Sequence, residues 1–171
     1  MRTRPARTSE LPVLQAIERA AGQPFAGVGM AEIAQDKPYP LPVLAASEQA
    51  GLLWVTADET DQPVAYLMAS VVDGCLHIDQ VSVHPDHARR RLGRDLLEHA
   101  AARAAADGLS ALTLTTFASV PWNAPYYRRC GFRVLGEAEL TPGLRAIRQH
   151  ETGLGLGKWP RVCMRRDLRR Q

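Results

Sequence analysis

The chain has 171 residues, of which 46% are hydrophobic, enough for one globular domain with a sizeable core over residues 1–171. Its net charge of +3 is small and mixed along the chain, so charge alone does not indicate a nucleic-acid-binding protein. Cys75, Cys130 and Cys163 are an odd, widely spaced set without a CxxC pair, which argues against a disulfide framework or a zinc site.

The first half of the chain predicts helices followed by a run of strands. A first helix begins at Thr8 or Ser9 and ends at Gly22, with leucine and isoleucine on its apolar face. A loop-rich stretch with one short helix over 31–35 follows, and a further short helix ends at residue 51. Three strands come next, and an Asp-Gly turn joins the second to the third. Their sequences are LLWVTAD, PVAYLMASVV and CLHIDQVSV.

The second half predicts helices that alternate with strands. A helix opens in an arginine-rich turn, carries leucine and alanine on its apolar face and ends at Gly108. The strand LSALTLTTF and the short helix NAPYYRRC follow, with Asn123 as the predicted cap and Gly131 at the exit. A long glycine-containing connection joins the last two strands, FRVLGEAEL and RVCMRRDL. This order predicts an α/β fold with a mixed, mostly antiparallel sheet of six to seven strands, flanked by helices.

Four arginines and a glycine stand where the third strand gives way to a helix: Arg89, Arg90, Arg91, Gly93 and Arg94. The free N–H groups and the dipole at a helix start make a site for an anion, and a loop with inward N–H groups makes a similar one. From this stretch alone, a solvated arginine-rich turn is favoured and a phosphate site is the alternative. A DNA-reading helix is less favoured, because acidic residues follow the arginines on the same helix.

The stretch VSVHPDHARRRLGRDLL resembles the coenzyme-binding motif of the GNAT superfamily of N-acetyltransferases, a strand followed by Gln/Arg-x-x-Gly-x-Gly/Ala and a helix. Ala88 stands at the first motif position, Arg91 at the first glycine and Gly93 at the second, so two signature positions depart from the motif. The stretch TLTTFASVPWNAPYYRRCGFRVL resembles the family's next strand, helix and Tyr-x-x-x-Gly-Phe ending, which begins here at Tyr127. The order of elements agrees as well, and the resemblance implies a GNAT-like fold.

The resemblance implies acetyl-coenzyme A as the co-substrate, with its pyrophosphate held by the arginine turn and no metal in the reaction. The backbone of the preceding strand would pair with the pantetheine arm and help to polarise the thioester carbonyl. The residues that the resemblance assigns to the coenzyme are Val81, Ser82, Val83, Ala88, Arg89, Arg90, Arg91, Leu92, Gly93, Arg94, Asn123 and Tyr127.

Acetyl transfer to an amine needs a proton acceptor for the amine and a proton donor for the leaving thiolate. The resemblance gives Tyr127 the role of the acid, with aromatic packing as the alternative. It places the base, or the residues that order a water, on CLHIDQVSV, where His77 and Asp79 share a face by strand periodicity. A histidine with a pKa of about 6.5 beside a carboxylate suits proton transfer near neutral pH. A cross-strand polar pair at the wet end of the strand, without a catalytic role, is the equally supported alternative.

We therefore expect an acyltransferase that moves an acetyl group to a primary amine of a small molecule or peptide. A module that binds acyl-coenzyme A without turnover is the alternative, because one motif glycine is missing. The segments that set the acceptor in the family, about 11–44 and 140–161, carry no recognisable code. We expect no nucleic-acid partner, and we leave a homodimer open. No apolar segment is long enough to cross a bilayer and none follows the basic N-terminus, which predicts a cytoplasmic protein without membrane contact.

Overall fold

The computed structural model describes residues 1–169 and contains two compact units. The prediction of one domain over residues 1–171 stays a prediction. The segments of the first unit are Met1–Ser70 and Asp79–His99, and those of the second are Val71–Ile78 and the chain from Ala100 on.

The helices and strands follow the predicted α/β order. The strands are β1 (Arg2–Pro5), β2 (Leu53–Ala57), β3 (Pro63–Val72), β4 (Cys75–Val83), β5 (Ala111–Phe117), β6 (Arg133–Val134) and β7 (Arg161–Asp167). The α-helices are α1 (Leu11–Gly22), α2 (Ala31–Ala34), α3 (Leu41–Gln49), α4 (Leu92–Ala106), α5 (Ala124–Arg129) and α6 (Pro142–Gly153). Within the described residues, no helix has both the length and the apolar character that crossing a bilayer requires.

The strands pair in the order β1-β2-β3-β4-β5-β7-β6 in a seven-stranded sheet. β4 and β5 are parallel, with His77 opposite Thr113, whereas the pairs β1–β2, β2–β3, β5–β7 and β6–β7 are antiparallel. The predicted mixed, mostly antiparallel sheet is therefore confirmed. The Asp-Gly turn before β4 is confirmed too, since Asp73 and Gly74 have φ values of 50° and 75°, which suit a tight hairpin.

The apolar face predicted for the first helix forms the core of the first unit. Leu11, Leu14 and Ile17 of α1 are buried, and the α-helix begins at Leu11 after one turn of 3-10 helix over Thr8–Glu10. These side chains pack in one cluster with residues of α3, β2 and β3, namely Leu44, Leu53, Val55, Tyr66 and Met68. Burial of such side chains is the main favourable contribution to folding of this unit.

Strand β1 was not predicted because charged contacts, not an apolar pattern, hold it. Arg4 donates to Glu10 at 2.6 Å and to Asp61 at 2.9 Å, and the guanidinium and the Glu10 carboxylate are almost entirely buried. Arg2 and Arg7 donate to the same Asp61. These partners lie up to 59 residues away along the chain, so no local pattern reveals them.

The predicted strand FRVLGEAEL is wrong beyond its first residues. β6 contains only Arg133 and Val134, because the Gly136 N–H donates to the Glu139 carboxylate at 3.1 Å and closes a turn. The connection to β7 contains the unpredicted helix α6. The Thr141 hydroxyl accepts from the Leu144 N–H at the start of α6, and a proline follows the cap, as is typical of helix N-termini.

We expect Leu14→Ala to lower the free energy of unfolding by about 2 to 5 kcal/mol, because it opens a cavity at a side chain with no exposed surface. Val13→Ala on the same helix is the matched control. Its side chain is 40% exposed, and the loss should be about 0.5 kcal/mol or less. Urea denaturation measures both values. Equal losses would contradict the packing of α1.

Candidate functional site

Two residues in left-handed backbone conformation shape the arginine turn. Arg89 and Arg91 both have a φ of 61°, a value that glycine adopts freely and other residues rarely adopt. The turn follows a single 3-10 turn over Pro85–His87 and ends where α4 begins at Leu92. Arg91 occupies the position of the first motif glycine and keeps the backbone that a glycine would provide. Each left-handed arginine costs about 1 to 2 kcal/mol of backbone strain.

The same turn carries donor groups and positive charge. The Asp95 N–H donates to the Arg91 carbonyl at 3.0 Å, so the N–H groups of residues 92–94 precede the hydrogen bonds of α4. The four arginines of the turn are exposed, whereas Leu92 and Gly93 are buried and fix the helix start. The helix dipole, the free N–H groups and the arginines together favour an anion at this position.

The strand segment before the turn is partly buried, and its one hydroxyl group is already hydrogen-bonded. Val81 and Val83 are half-buried, and Ser82 is buried. The Ser82 hydroxyl accepts from Gln80 at 2.8 Å and also forms a hydrogen bond with Tyr66. The Ser82 side chain is thus occupied inside the protein, and its backbone remains the part suited to a ligand.

His77 is buried in the second unit and uncharged at neutral pH. Its side chain is 3% exposed, and Nδ1 lies 2.9 Å from the Thr113 hydroxyl. Burial lowers the pKa of His77 to about 4, because water no longer stabilises the imidazolium. The ordinary histidine pKa expected from the sequence is therefore wrong for this residue.

Asp79, two residues further along β4, belongs to the first unit. It is half-buried, and its carboxylate forms a hydrogen bond with Ser70. Burial raises the pKa of Asp79 to about 6, and the Ser70 hydrogen bond opposes that rise. Each side chain thus has a polar partner on a neighbouring strand, Thr113 for His77 and Ser70 for Asp79. Of the two side chains, Asp79 has the pKa closer to neutrality.

Tyr127 lies on α5 among aromatic rings of the second unit. Its ring centroid is 5.4 Å from that of Tyr126 and 5.8 Å from that of Phe132. Burial raises the pKa of the Tyr127 phenol, so the hydroxyl keeps its proton at neutral pH. The side chain therefore packs as an aromatic residue and also presents an O–H donor.

Asn123 precedes α5 at the predicted cap position, but its side chain makes no cap hydrogen bond. The predicted cap interaction is therefore wrong. Asn123 Oδ1 is buried and has no hydrogen-bond partner in the described residues. Its backbone, with φ −110° and ψ −115°, does not have the extended geometry usual for a capping residue. The unpaired oxygen is available to an N–H or O–H group of a ligand.

Sequence reasoning missed a polar cluster built around Glu18 in the first unit. Glu18 Oε1 accepts from the Tyr66 hydroxyl at 2.6 Å and from the Tyr39 N–H at 3.2 Å. Burial raises the pKa of both the Glu18 carboxyl and the Tyr66 phenol. The Tyr39 hydroxyl donates to the Asp79 carbonyl at 3.4 Å and connects this cluster to β4. The available signal was a glutamate four residues after Leu14, on the buried face of α1.

Neither a metal cluster nor a disulfide occurs in the described part of the chain. No group of three or more His, Cys, Asp or Glu side chains there could hold a metal ion. Cys75, Cys130 and Cys163 are buried free thiols.

The acetyltransferase (GNAT) family matches residues 14–132 of the chain. The match begins within α1 and includes β4, the arginine turn and α5. Individual proteins are similar as well. Over 88 residues the chain is 32% identical to the peptidyl-lysine N-acetyltransferase YjaB of Escherichia coli. That match covers 52% of this chain and 54% of YjaB, so the chain spans about half the length of this curated relative.

Solved acetyltransferases have the same fold. A ribosomal-protein-alanine N-acetyltransferase from Brucella melitensis superposes with a TM-score of 0.71 at 18% identity, and the match covers 98% of this chain and 100% of that one. The PaiA N-acetyltransferase from Thermoplasma acidophilum, solved in complex with coenzyme A, superposes with a TM-score of 0.71 at 13% identity. That match covers 97% of this chain and 98% of the other. At these identities the superpositions show the fold alone.

Proposed function

Because the chain belongs to the acetyltransferase (GNAT) family, we propose that it transfers an acetyl group from acetyl-coenzyme A to a primary amine. Family membership makes the chain an acyltransferase, and the choice of donor and acceptor is what the proposal adds. The observation that carries it is the left-handed conformation of Arg89 and Arg91 at the start of α4. The acceptor belongs to a small molecule or a peptide, and the name of YjaB, a peptidyl-lysine acetyltransferase, supports an amine.

The residues present suit acetyl-coenzyme A. The N–H groups of the turn match the acceptor oxygens of a pyrophosphate, and the exposed arginines attract a polyanion over a longer range. The backbone of Val81 and Val83 can pair with the amide groups of the pantetheine arm, and Asn123 Oδ1 offers an unused acceptor. The PaiA structure, which contains coenzyme A, supports the same co-substrate by analogy of fold.

Asp79 is the base in this proposal, and His77 is not. A base with a pKa of about 6 binds a proton about a hundredfold more strongly than one with a pKa of about 4. At pH 7 the Asp79 carboxylate is still largely ionised and can accept the proton of the attacking amine, directly or through a water. His77 instead contributes a neutral imidazole hydrogen-bonded to Thr113.

Tyr127 is the acid. The amine nitrogen forms a bond to the acetyl carbon, the carbon–sulfur bond breaks, and the Tyr127 hydroxyl gives its proton to the leaving thiolate. The Tyr127 phenol is protonated at neutral pH, as a proton donor must be. Tyr127 also occupies the first position of the Tyr-x-x-x-Gly-Phe ending that the family carries.

A module that binds acyl-coenzyme A without turnover was the alternative, based on the missing glycine at Arg91. That argument loses its basis, because Arg91 keeps a φ of 61° and so keeps the glycine-like turn.

We expect acetyl-coenzyme A to raise the melting temperature, since a ligand that binds the native state alone stabilises it.

Arg91→Gly and Arg91→Val remove the same charge but differ in backbone preference. The glycine variant should bind nearly as tightly as the parent, whereas the valine variant should bind about tenfold or more weakly, because a β-branched residue disfavours this φ. Calorimetric titration measures both. Equal losses would mean that the turn binds through charge alone.

We expect Asp79→Asn to lower kcat by on the order of a hundredfold or more and to abolish the acidic limb of the pH–rate profile. The rate of the parent should fall as pH drops through about 6, because the carboxylate must be ionised to accept a proton. Ser70→Ala removes the hydrogen bond that lowers the pKa of Asp79 and should move this limb to higher pH. His77→Gln is the matched variant on the same strand and should leave the limb in place. A limb that survives in Asp79→Asn would exclude Asp79 as the base.

We expect Tyr127→Phe to lower kcat by on the order of a hundredfold while the dissociation constant of acetyl-coenzyme A stays nearly unchanged. The reason is that the change removes one O–H donor and keeps the aromatic packing. Release of free thiol with a panel of primary amines measures kcat. Tyr126→Phe, one residue earlier on α5, is the matched control and should stay active. Full activity of Tyr127→Phe would mean that the thiolate leaves without this donor.

A further inference from the structure

A charged cluster in the second unit takes no part in the reaction proposed above. Glu151 of α6 is 8% exposed and accepts from the Arg161 guanidinium at the start of β7 and from the Thr115 hydroxyl of β5. Arg161 donates to Thr115 as well, at 3.2 Å, and its guanidinium lies 4.4 Å from the centroid of the Phe117 ring. Both carboxylate oxygens of Glu151 are thus occupied, one by each partner.

Arg148, one turn before Glu151 on α6, adds a second guanidinium to this cluster. Its Nη1 atom is buried and has no hydrogen-bond partner among the described residues. Burial is the largest cause that lowers the pKa of Arg161, and the charge of Arg148 lowers it too, whereas Glu151 raises it. The charges of Arg148 and Glu151 therefore both act on Arg161. Glu137, whose charge also reaches this region, is exposed and pairs with Arg145 at 3.6 Å. The cluster therefore holds two guanidinium groups and one carboxylate.

A buried N–H donor without an acceptor is destabilising, and the excess positive charge increases the need for an anion. A single negative charge would neutralise the cluster. A carboxylate supplies one charge and matches the planar fork of a guanidinium, whereas a phosphate group carries up to two charges. The observations favour a carboxylate.

The cluster lies on a face of β5 that includes the contact with His77. Every second side chain of β5 lies on the same face of the strand, which places Thr113, Thr115 and Phe117 together. The Thr113 hydroxyl forms a hydrogen bond with His77 of β4. Phe117 and Trp159, with ring centroids 6.2 Å apart, supply an apolar wall beside the charges. A ligand held here would thus combine an anionic group with an apolar portion.

We propose that Arg148, together with Arg161, binds the carboxylate of the acceptor, so that the acceptor is an amino acid or another amine that carries a carboxylate. This inference rests on the proposed acetyl transfer and deepens it by naming the substrate class. Arg148 is a specificity-determining residue here, and it leaves the chemical steps to Asp79 and Tyr127.

Thiol release tests the proposal with matched acceptors: the natural L-amino acids, the α-amide of each and the amine obtained by removing its carboxyl group. O-phosphoethanolamine and a lysine-containing peptide complete the panel. We expect a carboxylate-bearing acceptor to have a KM at least tenfold lower than the matched amide or amine that lacks the carboxylate. Arg148→Gln should raise that KM about tenfold with little change in kcat and should leave the KM of the matched amide and amine unchanged.

Arg148→Lys keeps a positive charge and should restore part of the lost affinity, which a purely structural role would not predict. Arg145→Gln on the same helix is the matched control, because Arg145 is exposed, and it should behave like the parent. Circular dichroism melting shows whether each variant is folded.

Conversion of amines without any preference for a carboxylate, or a preference that Arg148→Gln leaves intact, would overturn the proposal. So would conversion of the phosphate-bearing amine or the lysine peptide in preference to every carboxylate-bearing acceptor. Binding of acetyl-coenzyme A without conversion of any acceptor would instead refute the proposed function, on which this inference rests.

Discussion

The left-handed backbone of Arg89 and Arg91 is the constraint on which the proposed coenzyme site depends. Arginine gains nothing from this conformation by itself, so the structure on both sides must enforce it. A 3-10 turn precedes it, and the buried residues Leu92 and Gly93 follow it at the start of α4. The result is a short loop that ends in free N–H groups and is surrounded by exposed guanidinium groups. Strain of this kind is typical of sites that bind ligands.

Burial shifts the pKa values of the two titratable residues of β4 in opposite directions, and this difference decides which of them is the better base. Loss of water disfavours the charged form of each group, which lowers the pKa of His77 and raises that of Asp79. The histidine becomes a weak base that is neutral throughout the physiological range, and the carboxylate becomes a stronger one. The residue types alone would favour the histidine as the base, because histidine has the ordinary pKa nearest to neutrality. The environment of the two side chains reverses that order.

The sequence predicted those features that depend on local patterns. The spacing of Leu11, Leu14 and Ile17 located α1, and the Asp-Gly pair located the hairpin before β4. Features that depend on distant partners were missed. β1 is held by contacts of Arg4, the Glu18 cluster joins α1 to a loop and to β3, and the Asn123 cap fails although its residue type is suitable. The pKa values of β4 follow from burial, which a single strand sequence does not report.

In the proposed site, backbone N–H groups of the arginine turn bind the pyrophosphate of coenzyme A. Backbone amide NMR can detect this contact when coenzyme A is compared with pantetheine, which lacks the pyrophosphate. We expect large downfield shifts of the amide protons of residues 89–94 with coenzyme A and small ones with pantetheine. Equal shifts with both ligands, or coenzyme A shifts confined to other parts of the chain, would contradict it.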